Sequence, residues 1–212
     1  MKKILGFLLP LLLIPLTLYS VLLFGQIAGT VIIGLAFLIG IAKFADKKER
    51  KFMIILAVFS SLFENLNVAL GSYQYLGVAE APIWVGLGWG ILGLYLIKHQ
   101  KLLAKVPNNI TYALACGLYL VIWGMSGFSL AALIPSIFGV LTIYVLTLSS
   151  NLPSSFFLSA SALGMLIEFS GTSFGIWTYF DQLGLPIPPP LASLGLAYAS
   201  VLTFALWLSG MD

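Results

Sequence analysis

Charged residues are scarce in this chain of 212 residues: Asp, Glu, Lys and Arg together make up 8% of it, whereas hydrophobic residues make up 60%. Soluble domains contain about 25% charged residues. The apolar stretches approach the roughly 20 residues that a helix needs to cross a bilayer, and they follow one another with short breaks. The composition therefore predicts an all-α polytopic membrane protein rather than a soluble domain.

Cysteine and histidine are nearly absent as well. The single Cys116 excludes an internal disulfide, and together with the single His99 it does not supply the ligands of a His/Cys zinc site. The sequence also contains no glycine-rich loop of the kind that binds nucleotide phosphates. We therefore expect neither a metal ion nor a cofactor.

We place about eight transmembrane helices along the chain, with six or seven crossings as the main alternative. The first helix follows Met1-Lys2-Lys3, and no small-residue cleavage site comes after it. We therefore interpret it as a retained helix rather than a cleaved signal peptide. The predicted spans are about 4–24, 27–44, 52–70, 82–98, 109–125, 129–149, 155–172 and 188–209.

The basic residues lie at the N-terminus and at the connections that follow the second and fourth helices, which an even number of crossings places on one side. The opposite connections contain Glu80 and Asp181 and no basic residue. The positive-inside rule then predicts a multi-pass protein of the cell membrane with both termini cytoplasmic. We interpret the charges as topology signals, so the expected partners are membrane lipids and not nucleic acid. The ten basic residues are Lys2, Lys3, Lys43, Lys47, Lys48, Arg50, Lys51, Lys98, Lys101 and Lys105.

Two glutamates lie inside predicted spans, and the same short pattern follows each of them. Residues 64–75 read ENLNVALGSYQY and residues 168–179 read EFSGTSFGIWTY, and both fit Glu-x6-Gly-x-[Tyr/Trp]-x-Tyr. The second copy begins 104 residues after the first, close to half the chain length. This offset predicts one integral membrane domain made of two parallel four-helix repeats, residues 1–106 and 107–212. A pseudo-two-fold axis along the membrane normal would relate them.

An ionisable side chain inside the bilayer is costly, about 2.5–3.5 kcal/mol at a helix centre on insertion scales for other charged residues. Helical spacing places each glutamate on a face of small and polar residues, so both should point into the bundle. We therefore predict that Glu64 and Glu168 are catalytic and share a cavity. The alternative is that both are neutral carboxyls that only hold helices together. The two faces contain Ser60, Ser61, Asn67 and Gly71, and Gly164, Gly171, Thr172 and Gly175.

Aromatic residues follow each glutamate at the predicted helix ends. Taken singly, each fits an interfacial aromatic belt, but together with the acids they are suited to line a pocket in which π faces stabilise a cation. A proline-led helix start comes after each aromatic pair, and residues 173–187 are long enough to fold over the mouth of such a pocket. The predicted substrate-binding residues are Asn67, Gly71, Tyr73, Tyr75, Gly171, Thr172, Gly175, Trp177 and Tyr179.

The second copy of the pattern resembles the signature of the carotenoid-biosynthesis integral membrane proteins. The match covers about twenty residues from Glu168 and continues through Leu183-Gly184 into the prolines. Two features depart from the family pattern: Trp177 replaces a tyrosine, and the spacing from Gly171 to the Phe-Gly pair is shorter. The resemblance implies that the residues with a functional role are Glu168, Gly171, Gly175 and Tyr179.

That family includes hydratases of terminal carotenoid double bonds. The resemblance therefore implies a membrane-embedded enzyme that acts by acid/base chemistry on a lipid-soluble, carotenoid-like isoprenoid. Two other classes fit the same residues: a proton-coupled small-molecule transporter, and a non-catalytic membrane protein that binds lipid or a partner subunit. The sequence leaves the oligomeric state open.

The charge distribution generates a prediction about topology. In a Cys116→Ser background, single cysteines introduced by Lys47→Cys and Lys101→Cys should react with a membrane-impermeant thiol reagent only after the cells are opened. Glu80→Cys is the matched control and should react in intact cells, because it lies on the opposite side. Labelling of position 47 in intact cells would contradict the assigned orientation.

Overall fold

The computed structural model describes residues 2–181 and 184–211, and the chain forms two compact units. The first unit comprises Met1–Tyr95, Phe169–Pro189 and Leu208–Met211, and the second comprises Leu96–Glu168 and Pro190–Trp207. Each unit is therefore built from segments that are distant in sequence. The sequence predicts that residues 1–106 and 107–212 are repeats that superpose on each other, and this stays a prediction.

All eight predicted helices are present in the described part of the chain, with most ends within a few residues of the expected positions. The second helix continues into a π-helical turn, Gly40–Phe44, which brings its end to the predicted residue. The helices are α1 (Lys2–Phe24), α2 (Gln26–Ile39), α3 (Lys47–Ala69), α4 (Ile83–Leu103), α5 (Asn108–Met125), α6 (Leu130–Ser149), α7 (Ser154–Ser173) and α8 (Leu191–Ser209).

Four of the described helical segments are long and apolar enough to cross a membrane: Gln26–Phe44, Lys47–Ala69, Leu130–Ser149 and Ser154–Ser173. Two shorter apolar stretches, Leu12–Phe24 and Ser193–Ser209, accompany them. The all-α class is thus confirmed in its helical content, and four spans are supported by length and composition. The larger number of eight crossings stays a prediction.

Three short strands, which the sequence interpretation did not foresee, connect the helix ends in the first unit. They are β1 (Tyr73–Tyr75), β2 (Trp177–Phe180) and β3 (Pro186–Ile187), and they pair antiparallel in the order β1-β2-β3. Pro186 and Ile187 lie in β3, and α8 begins at Leu191, a few residues after the predicted start near residue 188. Consecutive prolines disfavour helical backbone in the residues that precede them, so the helix starts only after the last proline.

The first turn of α3, which follows the basic connection after α2, is capped by two hydrogen bonds. Asp46 accepts a hydrogen bond from the backbone N–H of Glu49 (2.9 Å), and the Glu49 carboxyl accepts one from the backbone N–H of Asp46 (2.7 Å). This reciprocal capping box satisfies two backbone donors that a helix N-terminus leaves unpaired. The helix that bears Glu64 is thereby anchored at its first turn.

In the first unit, α3 and α4 approach closely because three glycines at helical spacing line one face of α4. A Cβ atom on Gly86 would lie 2.6 Å from the backbone oxygen of Ala57, and one on Gly90 would lie 2.9 Å from that of Met53. A Cβ on Gly93 would lie 2.6 Å from the side chains of Phe52 and Leu56. Small residues let membrane helices pack backbone against backbone, so this face determines how near α4 comes to α3.

The second unit is held together by similar close contacts. The buried ring of Tyr119 in α5 packs on Gly139 in α6, where a Cβ would lie 2.2 Å from the ring. Between α7 and α8, the Ser161 hydroxyl donates a hydrogen bond to the backbone oxygen of Gly195 (2.9 Å). Glycine contacts and one buried hydroxyl therefore connect both helix pairs of this unit.

The two copies of the sequence pattern end their helices in the same way. Gly71 and Gly175 have φ values of 74° and 68°, the left-handed conformation that favours glycine. The N–H of Ser72 donates to the oxygen of Asn67 (3.0 Å), and at the matching position the N–H of Ile176 donates to that of Gly171 (2.8 Å). Each helix end is thus a Schellman motif, which satisfies carbonyl groups that would otherwise be unpaired.

Beyond these helix ends, β1 and β2 pair with each other about a local two-fold. Tyr73 is opposite Tyr179 and Tyr75 is opposite Trp177. The backbone hydrogen bonds on either side of these pairs follow the same two-fold. The N–H of Leu76 donates to the backbone oxygen of Ile176 (2.8 Å), and the N–H of Phe180 donates to that of Ser72 (3.0 Å). Residues 66–76 and 170–180 therefore form matching local structures. Extension of this correspondence to whole four-helix halves stays a prediction.

The close approach of α3 and α4 generates a prediction about stability. Gly86→Ala should lower the thermal stability of the purified protein in detergent, since its methyl group collides with the backbone of α3, and overpacking of this kind costs about 1–3 kcal/mol. Gly88→Ala is the matched control, because no atom lies within 4 Å of a Cβ at that position. The control should be neutral or slightly stabilising, because alanine is the better helix former. Equal melting temperatures for the two variants would contradict the packing described here.

Candidate functional site

Glu64 is a buried acid of the first unit. It lies on α3, seven residues before the glycine that ends the helix, and its side chain is 6% exposed. The sequence interpretation expected this carboxyl to point inward, and in the structure it does. A carboxyl removed from water must find hydrogen-bond partners within the protein.

Three side chains supply these partners, and all three are buried. The hydroxyls of Tyr73 and Tyr75 both donate to Oε2 of Glu64, the latter at 3.1 Å. The indole Nε1 of Trp89 donates to Oε1 at 3.4 Å. Both carboxyl oxygens are thereby engaged by neutral donors that come from two different elements, β1 and α4.

Local structure explains why these donors meet Glu64. The Schellman turn at Gly71 reverses the chain so that β1 runs back beside the last turns of α3, and the alternation of the strand buries Tyr73 and Tyr75 while Gln74 stays exposed. The glycine face of α4 brings that helix close enough for Trp89 to reach the carboxyl. Each donor therefore depends on a glycine elsewhere in the unit.

Further aromatic rings extend this cluster on the buried face of the strand pair. The ring of Tyr179 lies 5.0 Å from that of Tyr73, and the ring of Trp177 lies 5.6 Å from that of Tyr75. Trp84 follows at 6.4 Å from Trp177. Spacings of this size are typical of favourable aromatic pairs. The four aromatic residues predicted to bind substrate are thus brought together in the first unit.

Glu168 belongs to the second unit and has a different partner. It is also 6% exposed, and its Oε1 accepts a hydrogen bond from the Tyr198 hydroxyl of α8 at 2.9 Å. The ring of Tyr198 packs directly on Gly164, one turn before Glu168 on α7, where a Cβ would lie 2.2 Å from the ring. The expectation that Glu64 and Glu168 share a cavity stays a prediction.

The other predicted site residues have structural positions around this cluster. Gly71 and Gly175 end the two helices, and a Cβ on Gly171 would lie 2.0 Å from the Trp177 ring, so this glycine makes room for the indole. The Asn67 amide donates to the backbone oxygen of Phe63 (2.9 Å), within its own helix, and is not among the hydrogen-bond partners of Glu64. The Thr172 hydroxyl likewise donates to the backbone oxygen of Phe169 (3.1 Å).

Two residues that contact the acids, Trp89 and Tyr198, were missed by the sequence interpretation. Neither lies in the repeated pattern, and they are 25 and 30 residues away from the glutamates they contact. A weak signal existed for Trp89: it is a tryptophan inside a glycine-rich stretch, GLGWGILG, where a buried indole N–H needs an acceptor. No comparable signal marked Tyr198.

The three hydrogen bonds to Glu64 generate a prediction about stability. Glu64→Leu should lower the melting temperature clearly more than Glu64→Gln, because leucine leaves three buried donors without an acceptor. Each such loss costs about 1–3 kcal/mol. Glutamine retains a carbonyl oxygen that accepts from the indole N–H and an amide NH₂ that donates to the tyrosine oxygens. Thermal denaturation in one detergent compares the two variants, and equal losses would show that the donors do not depend on the carboxyl.

Comparisons with known proteins do not assign the chain to a family. No protein-family model matches it, and the searches of curated proteins and of solved structures found no significant match.

Proposed function

We propose that the protein is a membrane-embedded enzyme that acts by acid/base chemistry on an apolar, carotenoid-like isoprenoid, adding water to a carbon–carbon double bond. In this proposal the chain crosses the cell membrane eight times as two four-helix repeats, with both termini cytoplasmic. The substrate is lipid-soluble and reaches the protein from the bilayer. The single observation that carries the proposal is the buried Glu64 carboxyl with its aromatic surroundings.

Glu64 has the properties required of a proton donor to carbon. Its hydrogen-bond partners Tyr73, Tyr75 and Trp89 are uncharged, and burial in an apolar medium disfavours a lone carboxylate. A neutral carboxylic acid is thus the natural resting form in this proposal. Such an acid can protonate an alkene without a metal ion or a nucleotide.

The reaction balances with one carboxyl and one water molecule. The acid transfers its proton to one alkene carbon, the π electrons form the new C–H bond, and a carbocation develops on the neighbouring carbon. Water attacks that carbon through its oxygen, and the proton released from the water returns to the carboxylate. The net change is addition of H₂O across the double bond, with no oxidation or reduction.

The carbocation needs stabilisation, and the aromatic cluster beside Glu64 is suited to this. The faces of tyrosine and tryptophan rings attract cations, by about 0.5–1 kcal/mol at exposed sites and about 2 or more when desolvated. Tyr73, Tyr75, Trp177 and Tyr179 are all buried. Their enclosure also keeps bulk water away from the cation, so that a single positioned water can react.

A nearby hydroxyl is available to hold that water. Ser60 lies one helical turn before Glu64 on α3 and is 1% exposed, and within the described residues its Oγ has no hydrogen-bond partner. A buried hydroxyl without a partner is unusual, and a bound water would satisfy it. We assign Ser60 this water-holding role.

The resemblance of residues 168–184 to carotenoid-modifying membrane proteins supports the isoprenoid substrate.

The proposal predicts loss of product when Glu64 becomes an amide. Glu64→Gln should reduce hydrated product by roughly 10²–10⁴-fold, the usual contribution of acid/base catalysis, because an amide neither gives nor takes a proton at carbon. The measurement is chromatography of lipid extracts from cells that accumulate an acyclic polyene and express each variant.

The matched control is Glu80→Gln, the same change at an exposed acid, which should leave product formation unaltered. Membrane yield and melting temperature verify folding of every variant. Unchanged product from a well-folded Glu64→Gln variant would rule out the catalytic role of this residue. A wild-type protein that forms no new lipid from any polyene would rule out the proposed reaction.

A further inference from the structure

We propose that Glu64 holds its proton on Oε2, that Trp89 keeps Oε1 as the carbonyl oxygen, and that the Tyr73 and Tyr75 hydroxyls return the proton to Oε2 during turnover. This inference rests on the proposed function and deepens it, since it specifies the route of the proton. Trp89 thereby becomes a positioning residue that lies outside the repeated pattern.

The donors differ in a way that distinguishes the two carboxyl oxygens. An indole N–H can donate a hydrogen bond but cannot accept one, whereas a tyrosine hydroxyl can do both. Oε1 faces the Trp89 N–H and Oε2 faces the two tyrosine hydroxyls. A proton on Oε1 would make that oxygen a poor acceptor for the indole. A proton on Oε2 finds a tyrosine oxygen ready to accept it.

The neutral form is favoured by what surrounds the carboxyl. Among the residues that the structure describes, the hydrogen-bond partners of Glu64 are Tyr73, Tyr75 and Trp89, and no lysine, arginine or histidine is paired with it. An ionised carboxylate buried without a cation is strongly disfavoured. With Oε2 protonated, the acid donates its proton in a hydrogen bond to the oxygen of one of the two tyrosines.

This arrangement provides a path for the proton after it has been given to the substrate. The carboxylate then accepts hydrogen bonds from both tyrosines at Oε2. As the attacking water forms its bond to carbon, it releases a proton to one tyrosine oxygen while that tyrosine passes its own proton to Oε2. The tyrosine ends unchanged, Glu64 is again the acid, and no other reactant is required.

Infrared difference spectroscopy of the substrate-free protein tests the arrangement. The carbonyl stretch of a protonated Glu64 is identified as the band that disappears in Glu64→Gln and shifts slightly in D₂O. Trp89→Phe retains a ring but removes the N–H, so this band should move to higher wavenumber, as carbonyl stretches do when they lose a hydrogen bond. Trp84→Phe removes an indole N–H that donates to Gln26 (2.9 Å), and it should leave the band in place.

The outcomes separate the parts of the inference. No protonated carboxyl band at neutral pH would overturn it, because Glu64 would then be ionised. A band that shifts in Tyr75→Phe and not in Trp89→Phe would place the carbonyl at the tyrosines and overturn the assignment of the oxygens. If Trp89→Phe folds poorly, Trp89→Met provides the same loss of the N–H.

The return of the proton through Tyr73 and Tyr75, here called the relay, is tested separately by product formation. The double variant Tyr73→Phe/Tyr75→Phe should lose product to the extent that Glu64→Gln does, yet retain the Glu64 carbonyl band. Full activity in the double variant would overturn the relay. Because the spectra need no substrate, failure of the hydratase proposal appears as a missing product with the predicted bands still present.

Discussion

The first unit depends on one constraint: a carboxyl group removed from water has to be hydrogen-bonded inside the protein. Glu64 meets this constraint with donors from a strand that follows its own helix and from the next helix along the chain. The hydrogen bonds to this carboxyl therefore require three features at once: the turn after α3, the direction of β1 and the close approach of α4. Loss of any of the three leaves buried polar groups without partners, which is costly in an apolar medium.

The local two-fold of the strand pair explains why the aromatic residues form one cluster. Each copy of the pattern supplies a glycine-ended helix and a short strand, and the two strands, β1 and β2, pair with each other. This pairing forms backbone hydrogen bonds between the copies and buries both aromatic pairs on one face. The tyrosines that bond Glu64 are consequently covered by Tyr179 and Trp177 of the other copy, so the surroundings of the acid are built jointly.

Much of the secondary structure could be predicted because its signals are local. Helix positions follow from the length of the apolar stretches, and the pairing of an acid with two aromatics is visible within a dozen residues. The strands were missed because two to four residues carry little periodicity, and because the prolines before Leu191 were interpreted as a helix start. Trp89 and Tyr198 were missed for a different reason: helix packing brings them to the acids, and no local pattern encodes that contact.

By itself, the sequence determined that the chain is helical and apolar, where its helices approximately lie, and that each glutamate is followed at a matched distance by a glycine and two aromatic residues. These properties depend on neighbours along the chain. Only the tertiary structure decided which donors engage each carboxyl, that Glu64 meets neutral donors from β1 and α4, and that the two strands pair. The reason is physical: a buried hydrogen bond is selected by the elements that pack around it, and close packing at glycines such as Gly86 sets distances that composition and spacing do not contain.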